Sequence, residues 1–136
     1  MGFNFFLDKQ IRIVIMRKKL SFFLFFLFLF FSVNAQTIGS IEKRGTWYEI
    51  YSEQGKKIKT VQSNIGELVG FGAEFFIVKK GCWYHLYDTN AKKYKTLQDN
   101  IGTIVSVSSF GFTVKKGIWL HSYNVQGKKM WTRQVK

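Results

Sequence analysis

The sequence predicts an all-β fold, an antiparallel repeat of β-hairpins, on three observations. First, the chain repeats itself at an offset of 36: residues 45–80 and 81–116 are identical at 17 of 36 positions, and residues 117–136 match the second copy at 8 of 20. Such a period marks a repeat architecture, whose units bury their apolar surface by packing on one another. Second, apolar and β-branched runs of four to eight residues recur between Gly, Asn and Lys-Lys clusters, at a spacing near nine residues, which is the rhythm of short antiparallel strands. Third, the repeated region carries no sustained helical periodicity, and proline is absent throughout, so the turns rest on Gly, Asn and Asp.

The N-terminal elements come first. Arg17, Lys18 and Lys19 follow directly on Met16. Leu20 to Val33 is then an almost unbroken apolar run of 14 residues, and Val33-Asn34-Ala35 offers a small residue at a cut. Positive, then apolar, then small is the order of a secretory signal peptide, here a helix within residues 16–35. The run is shorter than the roughly 20 residues that a spanning helix needs. No cysteine stands at the cut to carry a lipid. Residues 1–15 read as an upstream extension, with Met16 the true start. The expected protein is exported, periplasmic or secreted, with no stable membrane span after cleavage. Residues 36–136 form one small domain with a modest core.

The strands follow in order. A partial unit, 37–44, supplies the first, because "IEKRG" (41–45) aligns with "IVKKG" and "TVKKG". In each full unit, 45–80 and 81–116, a Lys-Lys-Gly or Lys-Arg-Gly turn leads into "TWYEIYS" or "CWYHLYD". Glycine there permits the positive φ of a tight hairpin. "QGKK" or "NAKK" makes the next turn, "KIKTVQ" or "KYKTLQ" the next strand, and "SNIG" or "DNIG" an Asn/Gly turn. "GTIVSVS" is rich in β-branched residues that suit a strand. The shorter unit 117–136 adds two strands, for eleven in all. The expected assembly is an open twisted meander of hairpins. A β-trefoil-like closure or a partial β-propeller-like closure are the alternatives, although a propeller usually takes at least about four blades.

Charge bounds the partners. Of the 21 Lys plus Arg, five precede residue 36, leaving 16 against 7 Asp plus Glu. A basic exported domain suits an anionic glycan, another envelope polymer or a protein partner; nucleic acid is not expected. Charged turn tips also keep β-rich surfaces soluble and discourage edge-to-edge pairing.

The repeat resolves the chemically suggestive residues into columns. Trp47, Trp83 and Trp119 form one, and Tyr51, Tyr87 and Tyr123 another, four residues further along and so on the same strand face. If this face is outward, its rings and the turn lysines Lys92 and Lys93 suit sugars or anionic polymers. If it is inward, the tryptophans pack between units, and the packing reading is favoured because tryptophan is highly buried on average. Glu49, His85 and His121 form a third column, which in a closed threefold structure would suit zinc. Cys82 stands where other copies have Thr46 and Ile118. It reads as a buried small hydrophobe rather than a nucleophile, although an odd cysteine leaves an intermolecular disulfide, and so an oligomer, open. No triad, phosphate loop or recurring carboxylate pair appears. The expectation is a non-enzymatic binding or scaffolding module without a cofactor. A metal-binding protein or metal-dependent hydrolase on Glu49, His85 and His121 is one alternative, and polyanion binding through the lysines and aromatics another.

The pattern Gly81, Trp83, Leu86, Asp88, Lys92, with its equivalents through residues 41–136, resembles the WG-type repeats of bacterial secreted and envelope proteins. Tyr48, Tyr84 and Leu120 replace the glycine that follows the tryptophan in that family. The resemblance implies an interaction module without a common catalytic site.

Overall fold

The computed structural model describes residues 36–135. The upstream extension (1–15) and the signal peptide (16–35) lie outside the described residues.

Eleven strands form among the described residues: β1 (Ile38–Arg44), β2 (Trp47–Ser52), β3 (Lys57–Gln62), β4 (Glu67–Phe71), β5 (Phe75–Lys80), β6 (Trp83–Asp88), β7 (Lys93–Gln98), β8 (Thr103–Ser108), β9 (Gly111–Lys116), β10 (Trp119–Asn124) and β11 (Lys129–Gln134). They make three antiparallel sheets, ordered β1-β2-β3, β4-β5-β6-β7 and β8-β9-β10-β11. The expected antiparallel hairpins are present. Pairing is interrupted at Ser63–Ile65 and Asp99–Ile101, where a 3-10 turn carries the chain to the next sheet. The result is a series of separate sheets, and no closed barrel forms among the described residues.

Alternation along the strands explains why the sheets stack. Successive side chains point to opposite faces, and both faces of the second sheet are apolar. Phe76, Val78 and Tyr87 on one face join Ile38 and Ile50 of the first sheet in one core cluster. Phe75, Ile77, Tyr84 and Leu86 on the other join Phe112, Val114 and Tyr123 of the third. The second sheet is therefore the middle layer, and "FFIV" reads as an unbroken apolar run because it is covered on both sides. At about 25 cal/mol per Å², each fully buried Phe, Ile or Leu here contributes roughly 1.5–3 kcal/mol.

The turns hold the register. Gly45, Gly81 and Gly117 have φ near 60° at the first position of two-residue turns, as a type II′ hairpin requires. At the other end of each second strand, Ser52 Oγ, Asp88 Oδ1 and Asn124 Oδ1 accept the backbone N–H of Lys56, Lys92 and Lys128 at 3.1, 3.0 and 2.9 Å.

Candidate functional site

The Gly turns line up three equivalent rows. A two-residue turn places the residue before it opposite the residue after it. Arg44 thus pairs with Trp47, Lys80 with Trp83 and Lys116 with Trp119. On the opposite flank Trp47 pairs with Gln62, Trp83 with Gln98 and Trp119 with Gln134. Directly opposed residues share a face and interact. Each sheet therefore ends in the same row, a cation, an indole and a carboxamide. The three indoles are 43, 43 and 45% exposed. This corrects the expectation that the tryptophans are buried between units: the core lies deeper in the strands, and the row beside the turn stays half open to solvent.

The other candidates fall in different places. Lys92 and Lys93 lie at the far end of the β6–β7 hairpin from Trp83, since Lys93 pairs with Tyr87 while Trp83 pairs with Gln98. The turn lysines consequently form two rims at opposite ends of the sheets, and Lys92 and Lys93 do not flank the indoles. Tyr87 and Tyr123 are core residues: their rings stack on Phe76 and Phe112 at 5.2 and 5.1 Å, inclined by 9° and 3°. Burial raises both phenols above their ordinary pKa. Tyr51 is half-buried and donates its hydroxyl to Glu49 at 2.6 Å. That bond, ahead of Lys57 and Arg44 at 3.3 Å each, holds the Glu49 carboxyl below its usual range.

Glu49, His85 and His121 lie on β2, β6 and β10, one to each sheet. His85 and His121 each bond a threonine on the next strand through Nδ1, Thr96 at 3.2 Å and Thr132 at 2.8 Å. Burial first, then neighbouring lysines, holds both imidazoles below the ordinary histidine pKa. Neutral imidazoles are suitable ligands in charge. Among the described residues, however, no group of three His, Cys, Asp or Glu is placed to hold a metal. Closure, on which the zinc reading depended, does not occur among the described residues.

Cys82 is exposed in the turn after Gly81. The sequence reading of a buried small hydrophobe is corrected by this position, which projects from the hairpin. A groove of about 350 Å³ lies between β4 and β8. Ser106 is the one hydroxyl-bearing side chain on its walls, and no histidine or carboxylate joins it there.

Arg44 and the glutamines were not picked out from sequence, and Lys80 and Lys116 stood out there only as members of the recurring turn pairs Lys79-Lys80 and Lys115-Lys116. Their signal was available: a two-residue turn fixes the pairing of the residues around it. Lys116 also donates to the carbonyl of Asn100 at 2.8 Å, which fixes its ammonium near the linker. No protein-family model, no curated protein and no solved structure matches this chain.

Proposed function

We propose that this is an exported, non-catalytic binding module of WG-like repeats, and that its ligand is an anionic glycan or similar envelope polymer. The observation that carries this reading is the row of cation, half-exposed indole and carboxamide, repeated once per sheet. An indole face suits the C–H face of a sugar ring. A neighbouring Arg or Lys suits an acidic substituent, and a carboxamide both donates to and accepts from hydroxyls. Three such rows in one domain suit a polymer, because simultaneous engagement multiplies weak contacts. The cationic, apolar and small segments of residues 16–35 support export.

The test is binding of Gln36–Lys136 to a heparin-like polymer across a salt series. Affinity is expected to fall steeply with salt as counterions are released. Replacing Trp47, Trp83 and Trp119 together with Ala should abolish binding while the hairpins persist in circular dichroism. Each half-exposed indole contributes about 1–2 kcal/mol to folding, less than a fully buried ring. Lys92→Gln with Lys93→Gln should change binding little. Wild-type affinity in the triple tryptophan variant would refute the proposal, as would loss of most binding in the distal lysine pair.

A further inference from the structure

Among the described residues the first sheet is one strand short. The 36-residue offset lays Ile41 over Ile77, so β1 is the counterpart of β5. Their pairings agree: Ile41 lies opposite Ile50 as Ile77 lies opposite Leu86. On its other edge β5 pairs with β4, and β9 pairs with β8, whereas β1 is an edge strand in the described structure. β1 is seven residues long, and a free edge of that length is a template for pairing. One end is anchored, since the N–H of Ile38 donates to the carbonyl of Ala73 at 2.7 Å.

The lane beside β1, which the described residues leave open, continues a row that the other two sheets already fill. β8 and β4 are adjacent, and Val107 sits so close to Gly70 that a Cβ there would stand 2.7 Å from Val107 Cγ2. One period earlier, Phe71 replaces Val107 and Leu68 replaces Ile104. Leu68, Phe71 and Ile41 are half-buried against the cluster of Ile38, Ile50, Phe76, Val78 and Tyr87. A strand in the lane would meet Leu68 and Phe71 as β4 meets Ile104 and Val107.

We propose that this lane binds an extended peptide segment of another protein, antiparallel to β1, by strand addition. In this mode main-chain hydrogen bonds supply affinity and alternate side chains supply choice. The continuity of the inner row sets the occupant's chemistry. Phe71 is larger than Val107, and Val107 already leaves no room for a side chain opposite it. The incoming strand therefore carries glycine opposite Phe71 and an aliphatic residue beside it, against Leu68. The charged residues Glu42, Lys43 and Arg44 at one end of β1 limit indiscriminate pairing. The site meets the tryptophan rows only at Arg44, the last residue of β1, and does not use the indoles.

The probe is a synthetic peptide with the sequence of Gly66–Ala73, GELVGFGA, which contains the strand that fills the equivalent lane in the second sheet. It is added to Gln36–Lys136, the unit that holds every strand and both core clusters, and amide hydrogen exchange is followed. At ten times its Kd, the outward amides within Ser40–Lys43 should slow by about tenfold. Those of the other edge strands, β3, β4, β7, β8 and β11, should not change. The same peptide with Gly70→Val should not protect β1. The triple tryptophan variant should bind the peptide as the wild type does. Unchanged exchange in β1 at the highest peptide concentration, protection centred on another edge, or equal protection by the Gly70→Val peptide would each overturn the proposal.

Discussion

Tyr48 and Tyr84 show how a single side chain ties one sheet to the next. The hydroxyl of Tyr48 donates to the carbonyl of Gly66 at 2.8 Å and accepts the N–H of Leu68 at 3.2 Å. That of Tyr84 donates to the carbonyl of Gly102 at 3.0 Å. Both rings are buried, at 4% exposure each, so each phenol crosses the interface to hold the linker that enters the following sheet. The third copy has Leu120 at this position. Tyr48→Phe should cost about 1–2 kcal/mol, because it leaves a part-buried carbonyl and amide without their partner. Tyr84→Phe, which loses one such bond, should cost about 1 kcal/mol. Urea denaturation of the two variants measures the difference. A larger loss for Tyr84→Phe would mean that ring packing, and not the hydroxyl count, sets the order. The column of Tyr48, Tyr84 and Leu120 is visible in the repeat. Its purpose is not, because each hydroxyl reaches a residue 18 positions further along the chain, and sequence alignment carries no information about which carbonyl lies within reach.

At the scale of the strands and turns, the period was legible and the phase was not. The unit 45–80 contains β2 and β3 of the first sheet and then β4 and β5 of the second. Identity at a fixed offset is the same wherever the repeat is cut, so it cannot say which four strands pair. The boundary is set by "SNIG" and "DNIG", which read as ordinary turns but act as crossings between sheets. Gly66 and Gly102 close these crossings with φ of 137° and 125°. A Cβ on Gly66 would stand 2.7 Å from the carbonyl oxygen of Lys79. Gly81 differs: its φ is 61° and nothing lies within 4 Å of an added Cβ. Gly81→Ala should therefore cost only the backbone strain of a positive φ at the first position of a type II′ turn, about 1–3 kcal/mol. Gly66→Ala should cost clearly more, since backbone must move as well, and thermal unfolding of the pair checks the ranking. Equal losses would show that the crossing relaxes freely. In the turn at the other end of the hairpin the chain itself accepts a side chain at positive φ: Ala91 has φ of 61° where Gly55 and Gly127 stand in the other hairpins.

For the whole molecule, the decisive pattern is how the repeat degenerates at its two outer faces. The cross-strand pair Ile77 and Leu86 faces the third sheet, and its counterpart Ile41 and Ile50 faces the second. In the third sheet the same pair is Thr113 and Ser122, on the face turned away from the stack. At the other end, Ser40 and Glu42 take the positions of Phe76 and Val78 on the outward face of the first sheet. Polar outer faces are how stacked repeats stop without exposing a core surface. They also supply a physical reason for the open arrangement, because closure would bring polar faces together. The sequence contains these substitutions, but they read as ordinary drift until the stacking direction is known. Thr113→Ile combined with Ser122→Leu would rebuild the apolar pair on an uncovered face. A contiguous apolar patch on a flat sheet is an association surface. The double variant should keep its strand content and gain concentration-dependent self-association in sedimentation velocity, relative to the wild-type chain. Ser40→Phe with Glu42→Val should do the same from the opposite end, and mixing the two variants should give the largest assemblies, since the rebuilt faces are the two sides of one repeated interface. If both variants sediment as the wild type does at equal concentration, the central pairs do not control stacking. The edge residues that border them would then have to do so.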